Sequence, residues 1–140
     1  MRFLAVDPGL MTGLAYQEDT LKPPLTWQLS YDNALDFVGD LLESGTRITV
    51  VCESFIPRPG VRTWQPQALE AIGVVRYLAR RADCPFELQS PADAKRFSTD
   101  QKLKKLGWYT PTEGGHVNDA LRHLLLGRVR HEDIDLGAIT

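Results

Sequence analysis

The run Ile48-Thr49-Val50-Val51-Cys52-Glu53 does most to restrict what this chain can fold into. Four β-branched residues follow one another without polar alternation, the composition of a strand covered on both faces. Such a strand belongs inside a parallel sheet and needs helical neighbours. The sequence supplies them on both sides. From Asp32, a good N-cap, Ala34, Leu35, Val38, Leu41 and Leu42 recur at helical spacing until Gly45 stops the helix. After the strand comes a Pro- and Gly-containing loop, Ile56-Pro57-Arg58-Pro59-Gly60, and then a helix expected from about Gln67 to Ala82.

The rest of the chain fits the same plan. Arg2 to Val6 is short and apolar and ends at Asp7-Pro8-Gly9, a buried strand closing in a tight turn. Gly13 to Tyr16 and Leu25 to Ser30, separated by Pro23-Pro24, complete an antiparallel meander. Phe86 to Gln89 is the fifth strand. Ser90-Pro91-Ala92-Asp93 is a helix-start signal, with short helical pieces expected through Lys95-Arg96-Phe97 and from Asp100 to Leu106. Gly107 to Gly115 reads as loop, and a last helix from His116 to about Arg128 has Ala120, Leu121, Leu124 and Leu125 on one face. The order β-β-β-α-β-α-β-α predicts an α/β fold, a mixed five-stranded central sheet flanked by helices.

At 140 residues the chain is expected to form a single domain over 1–140, with about 129–140 as a C-terminal tail. No apolar run approaches the roughly 18 residues of a membrane span, and a charge follows Met1 immediately, so a soluble, cytoplasmic protein is expected. Cys52 and Cys84 lie in apolar contexts without C-x-x-C spacing and read as core thiols. The net charge of -2 hides a segregation: Ser54 to Lys105 holds ten Lys/Arg against five Asp/Glu, and the remainder six against thirteen. A basic middle flanked by acid keeps nucleic acid open as a partner.

Three separated segments carry a resemblance. Val6-Asp7-Pro8-Gly9-Leu10-Met11-Thr12-Gly13, Val51-Cys52-Glu53 and His116-Val117-Asn118-Asp119-Ala120 resemble, in order and in register from residue 1 to about 127, the motifs of the RuvC-like Holliday junction resolvases. The resemblance implies a ribonuclease H-like fold in which acids from the first strand, a later strand and the C-terminal helix converge. It implies that Asp7, Glu53 and Asp119, with His116 in a place where the family has His or an acid, are catalytic metal ligands. Two Mg²⁺ ions about 4 Å apart suit in-line phosphodiester hydrolysis, and hard Mg²⁺ takes carboxylate oxygens and water; Mn²⁺ is expected to substitute. No small-molecule cofactor is expected. His123 and His131 match no motif position and are assigned to the surface.

The implied substrate is branched DNA: four-way junctions, forks or flaps. Phe55 and Trp64 interleave with Arg58 and Arg62, offering faces for unstacked bases and cations for phosphates, and Lys95, Arg96, Lys102, Lys104 and Lys105 are candidates for a phosphate track. The family places a stacking aromatic three residues after the strand Glu, where this chain has Ile56. On the same fold, a flap or replication-fork endonuclease or a nuclease for structured RNA would carry the same acids. A DNA-binding module without activity would have no need of all three, and actin-like ATPases, which share a related phosphate loop, need a much longer chain. On the helix at 67–82, Ala68, Ile72, Val75 and Ala79 form one apolar stripe and Leu69, Gly73, Val74 and Tyr77 another, which together with the resemblance predicts a homodimer through this helix.

Overall fold

The computed structural model describes residues 1–55, 66–135 and 137. The elements follow the expected order: β1 (Phe3–Asp7), β2 (Met11–Gln17), β3 (Leu25–Ser30), α1 (Tyr31–Glu43), β4 (Thr49–Glu53), α2 (Pro66–Arg81), β5 (Phe86–Gln89), α3 (Pro91–Phe97), α4 (Asp100–Leu106) and α5 (His116–Arg130), with a 3₁₀ turn at Glu113–Gly115 before the last helix. The strands form one mixed sheet in the order β3-β2-β1-β4-β5. β1 pairs antiparallel with β2 and parallel with β4, β2 pairs antiparallel with β3, and β4 pairs parallel with β5.

Strand alternation divides the sheet into two faces. Leu4, Val6, Leu14, Val50 and Cys52 pack with Val38 and Leu42 of α1 and Val75 and Ala79 of α2. Phe3, Ala5, Ala15 and Val51 point the other way and meet Leu121, Leu124 and Leu125 of α5 and Leu103 of α4. The register Phe3↔Thr49 to Val6↔Cys52, carried one residue further, brings Asp7 beside Glu53. Both have the parity of Ala5 and Val51, so both acids project toward α5.

Short-range chemistry sets the element ends. Ser90 Oγ accepts from the Asp93 amide at 3.0 Å and Pro91 opens α3; Thr99 Oγ1 accepts from the Lys102 amide at 3.3 Å at the start of α4, which Gly107 ends in the left-handed region at φ 75°. α1 departs from expectation. Its N-cap is Ser30, without a side-chain capping bond, and Asp32 lies inside the first turn. β3 runs directly into this helix, and the Leu10 carbonyl at 3.0 Å satisfies the Tyr31 amide, one of the free donors of the first turn. The parallel strand, expected over Arg47 to Glu53, begins at Thr49, and α5 continues two residues beyond Arg128.

α5 is buried nearly all round rather than on one face, and its buried residues include Asn118, His123 and Arg128. Arg128 is fully buried: its Nε donates to Gln17 Oε1 and its Nη1 to Asp133, and the guanidinium lies 4.8 Å from the Phe3 ring centroid. Burial lowers its pKa from the ordinary arginine value, and the Asp133 charge opposes that shift. His131, assigned to the surface, is half-buried; its Nε2 lies 2.7 Å from Glu87 and its ring meets Phe3 edge-on. Cys52 and Cys84 are buried free thiols, and burial pushes the Cys52 pKa up, which makes it inert. Among the described residues no helix is long and apolar enough to cross a membrane.

Candidate active site

The first motif is a hairpin locked by its own residues. Thr12 Oγ1 donates to the Gly9 carbonyl at 3.0 Å, closing the turn that follows Asp7. Gly13 is required by close approach: a Cβ there would stand 2.0 Å from the His116 carbonyl oxygen and 3.1 Å from the Val117 nitrogen. Gly13 pairs with Asp7 across the hairpin, so the start of α5 rests on backbone immediately beside the first acid.

From that seat His116 Nδ1 reaches Asp7 Oδ2 at 3.1 Å. Capping of α5 by the His116 side chain is therefore not its role here; Gly115, at φ 72°, occupies the N-cap and no side-chain capping bond is made. One turn on, Asp119 faces the Arg122 Nε at 3.5 Å. Arg122 is itself held by the Ser98 carbonyl at 2.9 Å and Asp100 at 2.5 Å, which ties α5 to the α3–α4 corner. Glu53 Oε2 meets His123 Nε2 at 2.8 Å. Asp7, Glu53, His116 and Asp119 all line one cavity of about 410 Å³, with Phe55 and Leu10 on its wall.

This concentration of acid perturbs Asp7 strongly. Burial comes first, then the charges of Glu53 and Asp119 and a hydrogen bond with Glu53, and together they push its pKa up to about 9, with Lys95 opposing. A buried carboxyl beside two further acids is an excess of negative charge that an oxygen-seeking divalent cation would neutralise. Among the described residues, no three His, Cys, Asp or Glu side chains close on a single point as a finished cage. Glu53 and Asp119 are each turned to a protein partner. Mg²⁺ keeps several waters and is held by one or two carboxylates with substrate phosphates, so the donor set fits it in charge and type without a complete cage.

The expected substrate contacts divide. Phe55 reaches the cavity, and Lys95, close enough to act on Asp7, borders with Arg122 a second cavity of about 440 Å³. Arg96 is exposed near Asp93 at 3.9 Å, and Lys105 is exposed on α4. Lys104 lies 4.7 Å from the Tyr109 ring centroid. Lys102 is directed inward, donating to the Phe97 carbonyl at 2.8 Å with its ammonium over the Phe97 ring. Arg58, Arg62, Trp64 and Ile56 lie outside the described residues.

His123 corrects the surface assignment most sharply: it is 1% exposed and lies between Glu53 and Gln89. Its signal was available, because a histidine four residues after Asp119 and seven after His116 shares their helix face. Arg122, three residues after Asp119, was readable as a partner for that acid by helical spacing, and the structure pairs the two; Gln89 carried no sequence signal of its own.

No protein-family model and no curated protein matches the chain. Solved structures do. RuvC of T. thermophilus in complex with Holliday junction substrate superposes with a TM-score of 0.68 at 19% identity, over 94% of this chain and 96% of that one. A second Thermus thermophilus RuvC structure gives 0.66 at 17% identity, over 95% and 98%. The strand order, the mixed pairing and these superpositions agree, and the chain has the fold of RuvC, a ribonuclease H-like fold.

Proposed function

We propose that this chain is a divalent-metal-dependent endonuclease that hydrolyses phosphodiesters in branched DNA, in the manner of a Holliday junction resolvase. The carrying observation is the convergence of Asp7, Glu53, Asp119 and His116, from two strands and one helix, on a single cavity. The RuvC fold supports the same reading, since one of the solved neighbours is in complex with Holliday junction substrate.

Asp7, Glu53 and Asp119 are the residues to hold Mg²⁺, or Mn²⁺ in its place, and the bound ions would supply an activated water and stabilisation of the leaving oxygen. His116 steadies Asp7 through Nδ1 and is placed to act as a further ligand or to position water. Phe55 offers an aromatic face to an unpaired base beside the acids. Lys95, with Arg96, Lys104 and Lys105 beyond it on α3 and α4, offers cations to the phosphates. The basic loop residues Arg58 and Arg62, with Trp64, complete the proposed DNA contacts.

Two incisions on opposed strands call either for two active sites related by a two-fold axis or for one site that rebinds. α2 supports such an assembly: Ala68, Ala71, Val75 and Ala79 are buried, whereas Leu69, Val74 and Tyr77 are exposed and Gly73 has open space before it. The dimer is proposed through this outward stripe. Sedimentation of the parent and of Gly73→Arg at micromolar concentration tests it, with a dimer expected for the parent and a monomer for the variant.

The activity test is cleavage of a labelled four-way junction and a splayed fork, side by side, with Mg²⁺ and with EDTA. Junction cleavage that EDTA stops is expected. A clear preference for the fork would make the protein a fork or flap endonuclease on the same site. DNA binding without cleavage in Mg²⁺ or Mn²⁺ would leave a binding module.

A further inference from the structure

His123 belongs to none of the sequence motifs, yet its ring is held at both ends. Nε2 lies 2.8 Å from Glu53 Oε2 and Nδ1 2.9 Å from Gln89 Oε1. Gln89 is as deeply buried as His123 and stands directly across from Glu53 in the parallel register of β4 and β5. Gly127 leaves this amide its room: a Cβ there would come within 3.3 Å of Gln89 Nε2.

A carboxylate without a proton only accepts hydrogen bonds, so the Nε2 position facing Glu53 is the one that carries hydrogen. The other end of the ring is decided by the amide. With Gln89 Oε1 toward the ring, its Nε2 is buried with no hydrogen-bond partner. A half-turn of the amide exchanges oxygen and nitrogen: it gives Nδ1 an N–H donor and leaves the carbonyl oxygen, in place of the nitrogen, without a partner. Orphaned buried N–H groups are rarer in folded proteins than under-satisfied carbonyls, so the turned amide is favoured. A ring nitrogen that accepts an N–H bond holds no proton of its own.

We propose that Gln89 and His123 form a positioning pair for Glu53: the Gln89 amide donates to Nδ1, which fixes the hydrogen on Nε2, and Nε2–H donates to Glu53 Oε2, leaving the other carboxylate oxygen for the cavity. His123 is thus a positioning residue, acting through Glu53. The inference rests on the reading of Glu53 as a metal ligand, and partners of this kind alter metal affinity by about 10–100-fold.

Two measurements on the full chain test the pair. Nitrogen-15 NMR of the histidine rings in metal-free protein is expected to show His123 protonated at Nε2 and bare at Nδ1, a preference that Gln89→Leu weakens. Mn²⁺ titration of metal-free protein is expected to show binding weakened about 10–100-fold in His123→Leu and largely restored in His123→Gln, whose amide can donate from the same direction. Protonation at Nδ1, alone or together with Nε2, overturns the proposal, as does a His123→Leu protein that binds Mn²⁺ like the parent while Glu53→Gln binds it weakly. If Glu53→Gln leaves Mn²⁺ binding unchanged, the metal-ligand reading of Glu53 falls, and the ring spectrum of the parent decides the pair without it.

Discussion

The two faces of the sheet are built from alternate residues of the same strands, yet they bury different chemistry. Under α1 and α2 lie Leu4, Val6, Leu14, Val50 and Cys52, a hydrocarbon and thiol core. Under α5, Phe3, Ala5, Ala15 and Val51 share space with buried Asp7, Gln17, Gln89, His123 and Arg128. One face contributes stability through transfer of apolar surface from water. The other spends part of that gain on desolvating polar groups, which are tolerated because nearly all of them are hydrogen-bonded to one another. A single residue of strand parity therefore separates a face specialised for cohesion from one that carries the candidate site.

The sharpest way to break this contrast is Asp7→Asn. Cleavage is expected to fall by 10²-fold or more, the usual cost of losing a key electrostatic group, while junction binding in EDTA stays near that of the parent. Glu53→Gln and Asp119→Asn should behave alike, and a variant cutting within about tenfold of the parent would remove that residue from the site. On the opposite face, Leu42→Ala should cost about 2–5 kcal/mol in denaturant unfolding while the folded fraction keeps the parent's rate and metal dependence. A changed metal dependence there would show that the two faces are not separable.

Two smaller changes sharpen the comparison. Gly13→Ala adds one methyl group where backbone already fills the space, and it should cost about 1–3 kcal/mol while also slowing cleavage, because the start of α5 must shift. Unfolding curves and single-turnover rates measured together distinguish this from a purely structural loss. Smallest is Ser90→Ala, which removes the α3 cap and should cost about 1 kcal/mol in the same unfolding assay with cleavage by the folded protein unaltered.

Strands were the most legible part of the sequence because apolar alternation and β-branching report which side of a strand is covered; Phe86 to Gln89 and the Asp7 and Glu53 strand ends were readable in this way. The Asp32 cap failed because β3 runs straight into α1, which opens at Tyr31 with Ser30 at its N-cap, a boundary that no local pattern announces. His123 and His131 were misplaced for a different reason. A helix surrounded by protein offers no solvent face, so a polar residue on it cannot be assigned to the surface by periodicity. The cavity acids were visible as motifs, and Arg122 was readable as a helical neighbour of Asp119, while Gln89 acts through geometry that only the folded chain supplies.

The placement of α5 has a consequence for how the protein fails. This one helix provides His116 and Asp119 to the cavity and Leu121, Leu124 and Leu125 to the core beneath it, and its far end is anchored by buried Arg128. Local opening that freed the acids would also expose that core, so it would cost nearly as much as opening the whole molecule. The proposed cleavage activity and global unfolding should then share one denaturation midpoint, and a protein of this design would resist partial inactivation until the chain as a whole gives way.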